Sequence, residues 1–180
     1  PVPSAYGGGA QYERLLVPNH MVTVAAGSTA LNYNSQYTIY NATLNTGAVG
    51  YRWAMPNVTW APVVVFGASY SQQNNTQNRS DLSRNITGGT VAAYFLPSDK
   101  WGLQVGGGYS SSIYGAPDLL FGQNRSDGLI SAQSTLEYKM TKSLSTRAEF
   151  TYYRNNSNLA LYSFSQYTGA LKLRYEWQSN

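Results

Sequence analysis

The chain has 180 residues, with 12 Lys or Arg against 8 Asp or Glu, one His and no Cys, for a formal net charge of +4. That length holds one domain. The missing thiols exclude disulfides and thiolate metal sites, and the small, scattered positive charge argues against a nucleic-acid partner.

Mean hydropathy is −0.35, and no apolar run reaches the ~20 residues that a spanning helix requires. A transmembrane barrel strand hides in such an average, because it turns alternate residues to lipid and to water. Alternation is therefore the informative signal. The opening PVPSAYGGGA has neither the basic start nor the apolar stretch of a signal peptide, so the numbering is expected to belong to a mature or excised chain.

In chain order, AYGGGAQYERLL and MVTVAAGSTALNY read as a weak strand pair joined by VPNH. NTGAVGYRWAM sets Val49, Tyr51, Trp53 and Met55 opposite Ala48, Gly50 and Arg52. APVVVFGASYS and NITGGTVAAYFL are apolar or small on both sides, which leaves their facing open. WGLQVGGGYSSSI sets Trp101, Leu103, Val105, Tyr109 and Ile113 opposite Gly, Gln and Ser. The last three runs, from Asp127, Leu144 and Gln166, alternate most cleanly, and period two over a dozen residues is a strand signal. Nine strands are expected.

Their links alternate. VPNH, PNVT, PSDK and TKS are short, whereas residues 34–41, 72–84, 114–126 and 155–164 form longer polar loops. The twice-occurring Asn-Arg-Ser-Asp, at 78–81 and 124–127, closes two of these loops and opens the next strand, its charges pairing with neighbouring loop charges. Short turns at one end and long loops at the other define an outer-membrane barrel.

The expected fold is therefore an all-β antiparallel transmembrane barrel. Residues 1–180 form one barrel domain or the C-terminal portion of one, since nine strands do not make the usual even number.

Aromatics fall where membrane interfaces would lie. Trp53, Trp60, Trp101, Tyr138, Tyr175 and Trp177 sit beside short turns or the C-terminus, and Tyr109 and Tyr152 sit near the long loops. If Leu171, Leu173 and Tyr175 face lipid, then Lys172, Arg174 and Glu176 face inward, as do Glu137, Lys139, Arg147 and Glu149 on the two preceding strands. Charges of both signs on adjacent strands form cross-strand pairs. They either brace a wall or line a hydrophilic conduit.

No catalytic set is apparent. His20 lies in a turn away from the long loops and reads as solvated, the carboxylates lack metal spacing, and the two GGG runs lie within strands rather than before a helix. No cofactor or metal and no enzymatic activity are expected. The Asn-X-Ser/Thr triplets read as polar loop composition.

The run TLEYKMTKSLSTRAEFTYYRNNSNLALYSFSQYTGALKLRYEW resembles the last strands of Gram-negative outer-membrane export barrels, of the surface lipoprotein assembly modifier and tetratricopeptide-linked porin type. The likeness covers mainly residues 127–177. It departs at the end, where Gln178-Ser179-Asn180 follow the last aromatic. It implies a bacterial outer-membrane location and a passage for export or diffusion. Membrane lipid would surround the wall, with further barrel strands or periplasmic subunits as partners. The alternatives are an anchor or adhesin barrel with a filled interior, and a soluble β-sandwich that binds carbohydrate.

Overall fold

The computed structural model describes residues 2–176. They form one sheet of nine antiparallel strands in chain order, each paired with the next: β1 (Ser4–Val17), β2 (His20–Asn32), β3 (Ala42–Ala54), β4 (Val63–Asn75), β5 (Arg84–Ser98), β6 (Trp101–Pro117), β7 (Asn124–Lys139), β8 (Leu144–Ser157) and β9 (Phe164–Tyr175). Among the described residues β1 and β9 are the sheet's two edges and do not pair with each other.

Registers settle the facing that alternation left open. Opposed residues share a face, and one such row runs Val24–Val49–Ala68–Gly89–Tyr109–Ile130–Arg154 across β2 to β8. The row beside it runs Thr23–Gly50–Gly67–Thr90–Gly108–Ser131–Tyr153 on the opposite face. In β4, Val64 and Phe66 therefore belong to the first face, and Val63 and Val65 to the second.

The sheet curls toward the second face. A Cβ built on Gly106 would lie 3.1 Å from Ala92 Cβ, and one on Gly88 3.2 Å from Ser110 Cβ, where opposed Cβ atoms in a flat pair stand about 4.5–5.5 Å apart. On the first face the reverse holds: a Cβ on Gly47 or Gly169 would meet nothing within 4 Å. Converging Cβ vectors define a concave face and diverging ones a convex face. Glycines at 67, 88, 106 and 108 leave room for that curvature.

The ends of the sheet differ. β1–β2 and β5–β6 close with two-residue links, Pro18-Asn19 and Asp99-Lys100, and β7–β8 closes through residues 140–143. The β3–β4 link is longer than the turn PNVT expected from sequence and takes in residues 55–62. It closes on itself through Met55 N–H to the Pro62 carbonyl and Ala61 N–H to the Val58 carbonyl, both 2.8 Å, with Trp60 and Ala61 at positive φ.

At the other end, three loops share one design. Each contains a turn of 3-10 helix, at Thr38–Tyr40, Ser80–Leu82 and Ala160–Tyr162. The residue that caps the turn returns its side chain to the strand before it. Asn41 Oδ1 accepts from Tyr33 N–H at 2.7 Å, Ser83 Oγ from Asn75 N–H at 2.9 Å, and Ser163 Oγ from Ser157 N–H at 3.0 Å. Strand-end amides without a ladder partner are satisfied this way.

Candidate functional site on the concave face

Charge is segregated between the two faces. Glu13, Arg52, Arg84, Arg125, Asp127, Glu137, Lys139, Arg147, Glu149, Lys172 and Arg174 all lie on the concave side. Only Arg14 and Arg154 fall on the convex side, each within three positions of a strand end. Long side chains there reach past an apolar band.

The densest group stands at the turn end of β7, β8 and β9. Glu137, Arg147 and Lys172 share one row, and Lys139, Ser145 and Arg174 the next. Lys172 Nζ donates to Glu149 Oε2 at 2.7 Å. Arg147 Nε lies 3.6 Å from Glu149 Oε1, beyond hydrogen-bond length, and that buried nitrogen has no partner. Arg174 pairs with Glu176 at 2.6 Å. One carboxylate thus answers two cations, and Lys139 has no ion-pair partner among the described residues. With Lys139, Arg147, Lys172 and Arg174 against Glu137, Glu149 and Glu176, the patch carries a positive excess.

A second polar group stands at the loop end. Arg125 makes a two-pronged bond with Asp127 at 3.0 and 2.6 Å. Its guanidinium also lies 3.5 Å from the ring centroid of Tyr162 and 4.6 Å from that of Tyr114. Tyr114 accepts from Arg84 at 3.1 Å and donates to Asp127 at 3.4 Å. Tyr162 donates to Asp118 at 2.6 Å, joining the β6–β7 and β8–β9 loops. That hydroxyl, with the Leu120 and Phe121 amides, holds the Asp118 carboxyl below the ordinary carboxylate range, and the same bond raises the Tyr162 phenol. Tyr114 and Asp127 are among the most buried residues of the chain, at 8% and 7% exposed. This group braces the loops.

The repeated Asn-Arg-Ser-Asp thus has a different structural basis from the expected one. In each copy the Arg pairs with the Asp two residues on, rather than with neighbouring loop charges: Arg79 with Asp81, and Arg125 with Asp127. Their settings differ. Asp81 lies in a 3-10 turn, where the Arg79 hydrogen bond lowers its pKa, whereas Asp127 is in β7.

His20 also differs from expectation. It opens β2, its Nδ1 stands 2.5 Å from the Tyr51 hydroxyl, and its ring stacks on Trp53 at 5.9 Å.

The expected girdle aromatics on the strands stand on the convex face. Trp53, Trp101, Tyr138 and Tyr175 stand on it near the turn end, Trp101 and Tyr138 with ring centroids 4.6 Å apart. Trp60 lies in the β3–β4 link, edge-on to Phe95. Tyr109 and Tyr152 stand nearer the loops, Tyr152 against Tyr167 at 4.9 Å. Val49, Phe66, Val91, Leu136 and Phe150, all exposed, fill the band between. Trp177 lies outside the described residues.

Sequence reasoning missed the Arg125–Tyr114–Tyr162 stack and the three loop caps. The only available signal for the caps was a recurring polar residue, Asn41, Ser83 or Ser163, immediately before a strand entry.

No protein-family model matches the chain, and no curated protein matches it by sequence. Two solved structures do. OmpT, an outer membrane protein of Vibrio cholerae, folded in vitro, aligns with a TM-score of 0.63 and 14% identity over 95% of this chain and 56% of that one. A loop L8 deletion mutant of the same protein aligns with a TM-score of 0.61 and 14% identity over 97% of this chain and 53% of that one. The chain spans about half the length of the solved structures it matches. At this identity the likeness is one of fold: an all-β antiparallel wall of the outer-membrane barrel type, a fold whose setting is the bacterial outer membrane.

Proposed function

We propose that the chain forms, or contributes to, the wall of a passage for export or diffusion across the outer membrane. The observation that carries this reading is the segregation of charge. Every charged strand residue but Arg14 and Arg154 stands on the concave face, while the convex face keeps an apolar band between aromatic residues. Lipid exerts that sorting, because a Lys or Arg on the lipid side near mid-membrane costs ~2–4 kcal/mol. Glu137, Lys139, Arg147, Glu149, Lys172, Arg174 and Glu176 then line the passage, and the convex aromatics form its girdles.

A filled interior is the weaker reading. Much of the concave face is Gly, Ala, Ser and Thr, which gives little bulk to fill a barrel's centre. A fold does not fix a function, so the reading of the chain as non-catalytic rests on its residues alone.

Residues 1–180 act in this reading as one barrel domain or as part of a larger one. Every residue of β1 is exposed, and lipid does not tolerate an unpaired strand edge. Further strands along β1 and β9 are therefore the expected partners, together with lipid around the convex face.

The test is conductance in planar bilayers across a KCl gradient. A conducting species is expected, and its preference should shift toward cations when Arg147→Gln, Lys172→Gln and Arg174→Gln are combined. A protein that never conducts overturns the passage. Conduction with unchanged selectivity removes these residues from its lining.

A further inference from the structure

Between the charged turn end and the braced loop end, the middle of the concave face carries no charge on β5, β6 or β7; Arg52, opposite Val65, and Glu13, in the row of Thr90, are the charges on the β1 to β4 side. A cavity of about 380 Å³ opens there, within the range of small-molecule sites. Its polar lining is Thr90, Tyr94, Ser131, Gln133 and Tyr153, drawn from β5, β7 and β8. The hollow exists because β6, which runs beneath it, contributes Gly106 and Gly108 to this face and so adds no side chain.

Tyr94 and Tyr153 stand on opposite sides, three strand spacings apart and four residues apart along the strand, about 19 Å between backbones in a flat sheet and less in this curled one. They are 41% and 39% exposed. Among the described residues neither phenol, nor the Gln133 amide, has a hydrogen-bond partner, and neither ring packs on another aromatic. The Ser131 hydroxyl makes one long contact, 3.5 Å to the Gly108 carbonyl.

We propose that this cavity is a binding subsite for a neutral saccharide. A pyranose has an apolar C–H face and a rim of hydroxyls. Tyrosine offers the matching surface, an apolar ring with a polar tip. The Gln133 amide, Thr90, Ser131 and the two phenols both donate and accept, as a hydroxyl rim requires. An ionic ligand finds no counter-charge in the lining and would lose hydration without return. A purely apolar ligand would strand five polar side chains. The subsite adds a station to the passage and rests on that reading only in needing the concave face to be open to water.

The test uses the protein purified from outer membranes in detergent, with any strands that accompany it. Maltotetraose, cellotetraose and the charged tetragalacturonate are the probes, followed by calorimetry and by NMR saturation transfer from protein to sugar. Saturable binding of at least one neutral sugar is expected, weakened about tenfold or more by Tyr94→Ala and by Tyr153→Ala. Tyr94→Phe should keep most of it, and the convex-face Val105→Ala should leave it unchanged.

Heat-modifiable migration on gels shows that each variant is folded. Absence of saturable binding by both neutral sugars, binding indifferent to both tyrosines, or tighter binding of tetragalacturonate each overturns the subsite. Bilayer conductance is read separately. A conducting protein that binds no neutral sugar overturns the subsite alone, and a sugar-binding protein that never conducts overturns the passage alone.

Discussion

Placing one lysine on each of two consecutive residues of β6 tests the assignment of the faces. Val105 stands on the convex face between Ala93 and Ser134, and Gln104 on the concave face between Tyr94 and Thr135. Val105 is also midway between the convex aromatics Trp101 and Tyr109. Four residues at ~3.3 Å rise put it about 13 Å along the strand from each, or about 10 Å along the membrane normal at ~40° tilt. That is the centre of the band, where a lysine facing lipid costs ~2–4 kcal/mol.

Val105→Lys should therefore lower the folding equilibrium constant about 30- to 800-fold. Gln104→Lys faces polar neighbours and should change it little. The assay is guanidinium unfolding in lipid vesicles, followed by tryptophan fluorescence, with both variants run beside the parent. If Val105→Lys costs no more than Gln104→Lys, the convex face does not meet lipid and the argument from charge segregation fails.

Acid should loosen the β6–β7 loop. Asp118 has its pKa lowered by the Tyr162 hydroxyl and two amides, so this contribution is whole above about pH 4 and is lost as pH falls through the lowered value. Protection of the Leu120 and Phe121 amides from hydrogen exchange, relative to the intrinsic rate at each pH, should fall across that window, and Asp118→Asn should abolish the dependence; a flat protection profile in the parent refutes it. Glu149→Gln strips Lys172 and Arg147 of their shared carboxylate, so reversal potentials in a KCl gradient should move toward anions, and no movement counts against an open concave face. Ser83→Ala leaves the Asn75 amide without its acceptor and should cost ~1 kcal/mol. Faster proteolysis within residues 76–83 is expected, with the bilayer-embedded strands unaffected, and a cleavage rate equal to the parent's refutes the cap.

Much of the wall was readable because lipid and water impose opposite demands on neighbouring residues. Leu136 against Glu137, and Leu171 against Lys172, announce their faces by chemistry alone. The signal fades where those demands relax. β4 and β5 carry small or apolar residues on both faces, so only their register tells which of Val63 and Val64 takes the convex side.

Strand ends fade for another reason. Gln72–Asn75 and Asn155–Ser157 continue β4 and β8, yet both faces there are polar, so residues inside strands read as loop. The Arg125 stack was illegible because Tyr114 is in β6 and Tyr162 in the β8–β9 loop, and the two rings meet only across Arg125 on the strand between. The hollow on the concave face was illegible too, since a GGG run inside a strand gives no sign of which face its missing side chains leave open.

An odd number of strands gives this sheet a direction. β1 runs from the loop end toward the Pro18-Asn19 turn, and β9 runs from its loop toward the same end. The two free edges therefore point the same way through the membrane. If copies of this chain shared one orientation in the bilayer, every joint between them would bring like-directed strands together, whatever their number. Parallel ladders of that kind are slightly less stable per residue than antiparallel ones. A partner that joined both edges antiparallel would need outer strands that both rise from the turn end to the loop end, which only an odd number of hairpin-linked strands provides. An antiparallel completion, if there is one, would thus be set in both strand parity and polarity by the two edges described.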